Sequence, residues 1–99
     1  MKQIHIDELY SLVENKEEVN VLDVRPKEYY DDGHIPGAVH MPMSTLEDNL
    51  DKLDKDKTYH VICHDGVFSE KGTKLLDENG FNAINIEQGT PEYPSQLEK

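Results

Sequence analysis

The sequence predicts an α/β domain built on a mainly parallel sheet. Three observations predict it. Short apolar runs of strand length recur along the chain, and amphipathic stretches of helical spacing separate them. One run, Val19–Val24, carries Val19, Val21, Leu22 and Val24 with little polar interruption, the pattern of a parallel strand covered on both faces.

The elements follow in order. Gln3–His5 is a short strand, and Asp7–Glu14 a helix with Leu9, Leu12 and Val13 on one face. After the Val19–Val24 strand, Pro26 stands where a first helical residue would, which its fixed φ favours. The helix Pro26–Asp32 ends at Gly33. Ala38–His40 is a brief strand. Ser44 and Glu47 have capping-box spacing and open a helix carrying Leu46, Leu50 and Leu53. Lys55–Lys57 is a polar turn, Tyr59–Cys63 the fourth strand, and Cys63–Ser69 a loop. Glu70–Asn79 is a helix with Leu75 and Leu76 inward and Gly80 just past its end. Phe81–Ile86 contains the fifth strand. Thr90-Pro91-Glu92 reads as an N-cap followed by proline at the first helical position.

A chain of 99 residues is expected to form one domain, residues 1–99. Its net charge is -11, from 21 acidic and 10 basic residues. Such a chain repels phosphate backbones and anionic lipid headgroups, so neither nucleic acid nor a membrane surface is expected as a partner. The start, Met1-Lys2-Gln3-Ile4-His5, lacks the apolar core of a signal peptide, and no run approaches the ~20 apolar residues of a membrane span. A cytoplasmic location is the expectation. One cysteine excludes an intramolecular disulfide. His5, His34, His40, His60 and His64 show no tight ligand spacing with Cys63, so no metal site is expected.

Ligands of open α/β sheets bind beyond the carboxyl ends of strands. Cys63 sits at such an end, before a loop containing Gly66 and then a helix. That layout turns main-chain N–H groups and the positive end of the helix toward one point. A cysteine there is favoured as thiolate, the nucleophilic form. The competing reading is a small buried hydrophobe closing a strand. Residue pattern alone leaves both open.

Cys63-His64-Asp65-Gly66-Val67-Phe68-Ser69 resembles the active-site loop of rhodanese-like domains, Cys-x-x-Gly-x-x-Ser. Three further blocks stand in the family's order. Val21-Leu22-Asp23-Val24-Arg25 resembles its early strand motif, Gly33-His34-Ile35-Pro36-Gly37-Ala38 its Gly-His-Ile-Pro-Gly-Ala turn, and Asn85-Ile86-Glu87-Gln88-Gly89 the end of its last strand. The resemblance runs from about Ile4 to Tyr93, and it is specific because the motifs occur together. It implies a three-layer fold, a five-stranded sheet with helices on both faces. It also implies a sulfurtransferase. Cys63 would take sulfane sulfur from thiosulfate or a persulfide and pass it, through a Cys63 persulfide, to a thiol or cyanide. The loop His64, Asp65, Gly66, Val67, Phe68 and Ser69 would bind the substrate. No metal or organic cofactor is implied. With no second cysteine, the acceptor is external, either a small molecule or a partner protein.

The loop departs from the family pattern in charge. Many members carry arginine or lysine just before the final serine, where this chain has Phe68. Asp65 lies within the loop, Glu70 follows it, and Lys71 is the nearest cation in sequence, reading as a solvated helix residue. Weak thiosulfate activity is the expectation. Phe68 is either an apolar wall for an organic persulfide or partner, or a side chain folded onto the core. His64 either assists proton transfer or is an exposed loop residue. Ser69 is expected to bond the sulfur or its donor, to cap the helix, or both. Asp23 and Arg25 are read as structural support, tying loops through charge-assisted hydrogen bonds. Thr90 stands at the family's second glycine, and Tyr93 is the candidate for its following aromatic. A phosphatase is excluded, because Ser69 stands where the oxyanion-holding arginine would be. A catalytically weak relay or protein-binding module remains the alternative.

Overall fold

The apolar runs become neighbouring strands because each connection crosses over through a helix and returns in the same direction. The computed structural model describes all residues, Met1–Lys99. Its elements are β1 (Lys2–Ile4), α1 (Ile6–Glu14), β2 (Asn20–Asp23), α2 (Lys27–Asp32), β3 (Val39–His40), α3 (Met43–Leu46), β4 (Thr58–Ile62), α4 (Phe68–Glu78) and β5 (Asn82–Ile86). A 3₁₀ stretch, Glu47–Lys52, continues α3, and another, Thr90–Glu92, follows β5. The sheet has five strands in the order β1-β5-β4-β2-β3, every pair parallel.

Alternation along each strand divides the core into two layers. Leu22 and Val24, with Tyr59, Val61, Cys63 and Ala83, face Leu46, Leu76 and Phe81 from α3, α4 and the turn before β5. Val21, Ile62 and Ile86 face Ile6, Leu9 and Tyr93 on the other side, with Tyr30 of α2 packed against them. Helices thus cover both faces. Val21, Leu22, Val61 and Ile62 are all buried, as a doubly covered parallel sheet requires.

Several boundaries differ from the sequence expectation, and each difference has a local cause. Pro26 is the N-cap of α2, with ψ 156°, rather than its first helical residue. Ser44 lies inside α3, which Pro42 caps, so the Ser44–Glu47 capping box does not form. The 3₁₀ helix after β5 is capped by Gly89, and Thr90 is its first residue. His5 ends no strand. It caps α1, with Nδ1 accepting from the Asp7 N–H at 3.1 Å. The helix after Cys63 begins at Phe68, two residues earlier than Glu70.

Candidate active site

β4 lies between β5 and β2, so the carboxyl ends of three strands meet around the residue that follows it, Cys63. Cys63 is 1% exposed. Its Sγ accepts the main-chain N–H of Gly66 at 3.1 Å and that of Ser69 at 3.2 Å. Gly66 has φ +85°, a left-handed conformation that glycine adopts without strain, and this turn aims its N–H back at the sulfur. Ser69 lies in the first turn of α4. The sulfur therefore occupies the position of a helix cap and receives the positive end of the helix dipole.

The loop is held against the segment following β5. A Cβ on Gly66 would fall 1.9 Å from the Glu87 carbonyl oxygen, and one on Gly89 would fall 1.5 Å from that of His64. The Thr90 N–H donates to the Cys63 carbonyl at 2.9 Å. Ser69 Oγ donates to Asn85 Oδ1 at 2.6 Å and lies 3.2 Å from the Gly66 carbonyl oxygen. The Ser69 hydroxyl thus points away from the sulfur, and Val67 occupies the N-cap position, without a side-chain cap. The Ser69 side chain does not cap the helix, and it is the main-chain N–H of Ser69 that bonds the sulfur. Sequence reasoning gave no role to Asn85 or Gly89. The available signal was Asn85 itself, a polar residue in an apolar strand, which needs a buried partner.

Asp65 faces the sulfur. The Cys63 thiol donates to Asp65 Oδ1 at 3.6 Å, and the Val67 N–H donates to the same oxygen at 3.0 Å. The Val67 N–H, ahead of the thiol, holds the Asp65 carboxyl below the usual carboxylate range, so it is ionised at neutral pH. His64 is exposed, its ring 5.5 Å from that of Tyr29. Val67 and Phe68 are 64% and 44% exposed. Phe68 is not folded onto the core. Lys71 is exposed on α4.

Asp23 and Arg25 form a buried pair at the end of β2. Arg25 Nε and Nη2 donate to Asp23 Oδ2 at 3.0 and 2.7 Å, and Nη2 also reaches the Gly33 carbonyl at 2.8 Å. His40 Nε2 lies 2.8 Å from the Arg25 carbonyl. The guanidinium is committed to this scaffold, as a buried charge requires.

A hollow of about 220 Å³ lies beside His64, lined also by Arg25, Tyr29, Asp32, Thr90 and Leu97. Another hollow, of about 360 Å³, is lined by Val19, Lys57 and Tyr59 and does not include the thiol. No helix is long and apolar enough to cross a membrane.

Comparison with known proteins identifies relatives of the whole fold. The family model for the rhodanese-like domain matches residues 5–96. YtwF of Bacillus subtilis, whose name proposes a sulfurtransferase, is 40% identical over 89 residues, covering 90% of this chain and 86% of its own. YrkF of the same organism, whose name proposes a sulfur carrier protein, is 32% identical over 97 residues, 97% of this chain and 52% of its own. The crystal structure of SSP1007 from Staphylococcus saprophyticus superposes with a TM-score of 0.94 at 36% identity, covering 100% of both chains.

Proposed function

This chain belongs to the rhodanese-like domain family, and from that premise we propose that it is a sulfurtransferase carrying sulfane sulfur as a persulfide on Cys63. The observation that carries the reading is the pair of main-chain N–H groups, Gly66 at 3.1 Å and Ser69 at 3.2 Å, directed at Sγ. Donors fixed in the main chain stabilise charge on sulfur without reorganising.

In the loading step the Cys63 thiolate attacks the outer sulfur of a donor R–S–SH. The Sγ–S bond forms, the donor S–S bond breaks, and the electron pair leaves on R–S⁻, which takes up a proton. In the discharge step an external thiolate or cyanide attacks the outer sulfur of the Cys63 persulfide. The Sγ–S bond then breaks and its electron pair returns to Sγ. Charge stands on Sγ before loading and after discharge, where the N–H groups of Gly66 and Ser69 receive it. Sulfur changes partners with no net oxidation. Residues 1–99 contain a single cysteine, so no second thiol among them accepts the sulfur.

The test is intact mass after exposure to an organic persulfide and to thiosulfate. The expected result is one added sulfur atom on the native chain and none on Cys63→Ser, whose hydroxyl does not ionise near neutral pH. Failure of every donor to add sulfur would overturn the reading in favour of a binding module.

A further inference from the structure

We infer that Asp65 sets the donor class, selecting persulfides that carry a positive charge close to the sulfane sulfur. The inference rests on the reading of Cys63 as the sulfur carrier and names its substrate. Asp65 is exposed, whereas Cys63 is 1% exposed, and Asp65 Oδ1 lies 3.6 Å from Sγ. A donor coming from solvent onto the sulfur therefore meets this carboxylate. The Val67 N–H fixes the oxygen in place at 3.0 Å, so the negative charge is a standing part of the site.

No lysine or arginine compensates it at the sulfur, and its one neighbour of opposite sign is the exposed imidazole of His64. The Arg25 guanidinium is bound to Asp23 and to the Gly33 carbonyl. The loop contains no lysine or arginine, and Glu70 follows it. The main-chain donors at Sγ come from Gly66 and Ser69, and one more loop N–H, that of Val67, is already spent on Asp65. A carboxylate or sulfonate beside the donor sulfur would be repelled by Asp65. An ammonium there pairs with it and relieves the repulsion between Asp65 and the attacking thiolate. The donor class is thus an aminothiol persulfide, whether a small molecule or a persulfide flanked by a basic side chain. Loading proceeds as above: the Sγ–S bond forms, the donor S–S bond breaks, and the aminothiol leaves as its thiolate and is protonated.

The experiment compares two persulfides of similar size, that of cysteamine (an ammonium) and that of 3-mercaptopropionate (a carboxylate). Loading rates are read by intact mass for the native chain, for Asp65→Asn and for Glu78→Gln. Asparagine keeps the oxygen that accepts from Val67 and removes the charge. Glu78 is exposed at the far end of α4 and serves as a control for the general acidic field. The native chain is expected to load from the cysteamine persulfide about tenfold faster than from the carboxylate. Asp65→Asn is expected to bring that ratio to within about twofold of unity, while Glu78→Gln keeps it, since exposed charges beyond about 10 Å are largely screened. Loading from both donors with the same ratio in native chain and Asp65→Asn would overturn the role of Asp65 while leaving Cys63 as the sulfur carrier. Loss of the ratio in Glu78→Gln would overturn it too, by assigning the selection to net charge. Absence of loading from either donor would overturn the sulfur-carrier reading and this inference together.

Discussion

Ser69 Oγ donates to Asn85 Oδ1 at 2.6 Å, and both residues are fully buried. The bond ties the first turn of α4 to β5, and Asn85 Nδ2 reaches back to the Gly66 carbonyl at 3.4 Å. The two residues whose N–H groups hold the sulfur are thereby fixed to one strand residue. Ser69→Ala leaves Asn85 Oδ1 buried without its donor, at a cost of about 1–3 kcal/mol. Asn85→Leu removes the same bond from the other side. Both changes together differ from their sum by a coupling of at least about 0.5 kcal/mol, because the two residues bond each other and share the Gly66 carbonyl. Urea unfolding of the two single variants and the double variant measures this. Strict additivity would show that the pair does not act as a unit.

Gly89 isolates a steric effect from a backbone one. Its φ of -90° and ψ of 168° are open to any residue, yet a Cβ there would lie 1.5 Å from the His64 carbonyl oxygen. Gly37 is the reverse case, with φ +80° and nothing within 4 Å of the added atom. Gly37→Ala is expected to cost only conformational strain, about 1–2 kcal/mol, with sulfur loading retained. Gly89→Ala must displace the main chain of the Cys63 loop. The expected outcome is loss of loading by at least about tenfold, read by intact mass after a persulfide pulse. Equal loading in both variants would mean that the loop relaxes without moving its N–H groups.

The same contacts decide what was legible in the sequence. Strand β2 was legible because a doubly covered parallel strand is nearly continuous in apolar residues, β4 and β5 because β-branched and aromatic residues stand between turn signals, and Cys63 because it ends the β4 run before Gly66. The start of α4 was not. Helix starts are read from a capping side chain, and Val67 makes no side-chain cap bond. Ser69 N–H goes to Cys63 Sγ and Val67 N–H to Asp65 Oδ1, so the groups that satisfy this helix end belong to the site. The Ser44–Glu47 signal failed for the opposite reason: the spacing was present, but Pro42, with its fixed φ, starts the helix first. Asn85 and Gly89 act on the loop from about twenty residues away in sequence, a relationship that local pattern cannot carry.

His60 gives the fold a defined response to acid. It lies on β4, 9% exposed, with Nδ1 buried and unpartnered. Burial, opposed by the Asn20 carbonyl and the charge of Glu8, holds its pKa below the ordinary 6.5. Above pH 6.5 the imidazole is neutral whether the chain is folded or unfolded, and it has no effect on the balance. As pH falls below 6.5 the unfolded chain takes up the proton first. Stability is then lost until the folded-state pKa is passed, after which the loss levels off. The urea midpoint of the native chain is expected to fall between pH 7 and pH 5.5, and that of His60→Gln to fall less. Parallel pH profiles for the two proteins would show that His60 does not supply the effect.

Phe68→Arg tests how the charge of the loop sets the response to thiosulfate. Phe68 is the first residue of α4, 44% exposed and next to Ser69, whose N–H bonds the sulfur, so a cation placed there adds positive charge close to that N–H in sequence. Thiosulfate is a dianion, and in the native chain the Gly66 and Ser69 N–H groups at Sγ meet it without a neighbouring cation. A charge-assisted hydrogen bond contributes about 1.5–3 kcal/mol, which corresponds to roughly one to two orders of magnitude in rate. Phe68→Arg is therefore expected to raise kcat/KM for thiosulfate by at least about tenfold. A cation at a helix N-terminus opposes the dipole, at a cost of about 0.3–1 kcal/mol in stability, too little to unfold a domain of ordinary stability. Added salt provides an independent arm. The net charge of -11 slows the approach of a dianion, so screening should raise kcat/KM in the native chain. In the arginine variant, screening also weakens the new attraction, and the gain with salt should be smaller. Steady-state kinetics of both proteins at two salt concentrations measure all four values. An arginine variant with no gain would mean that the main-chain N–H groups and the terminus of α4 already carry the anion. Equal efficiency of the native chain toward thiosulfate and an organic persulfide would mean the same.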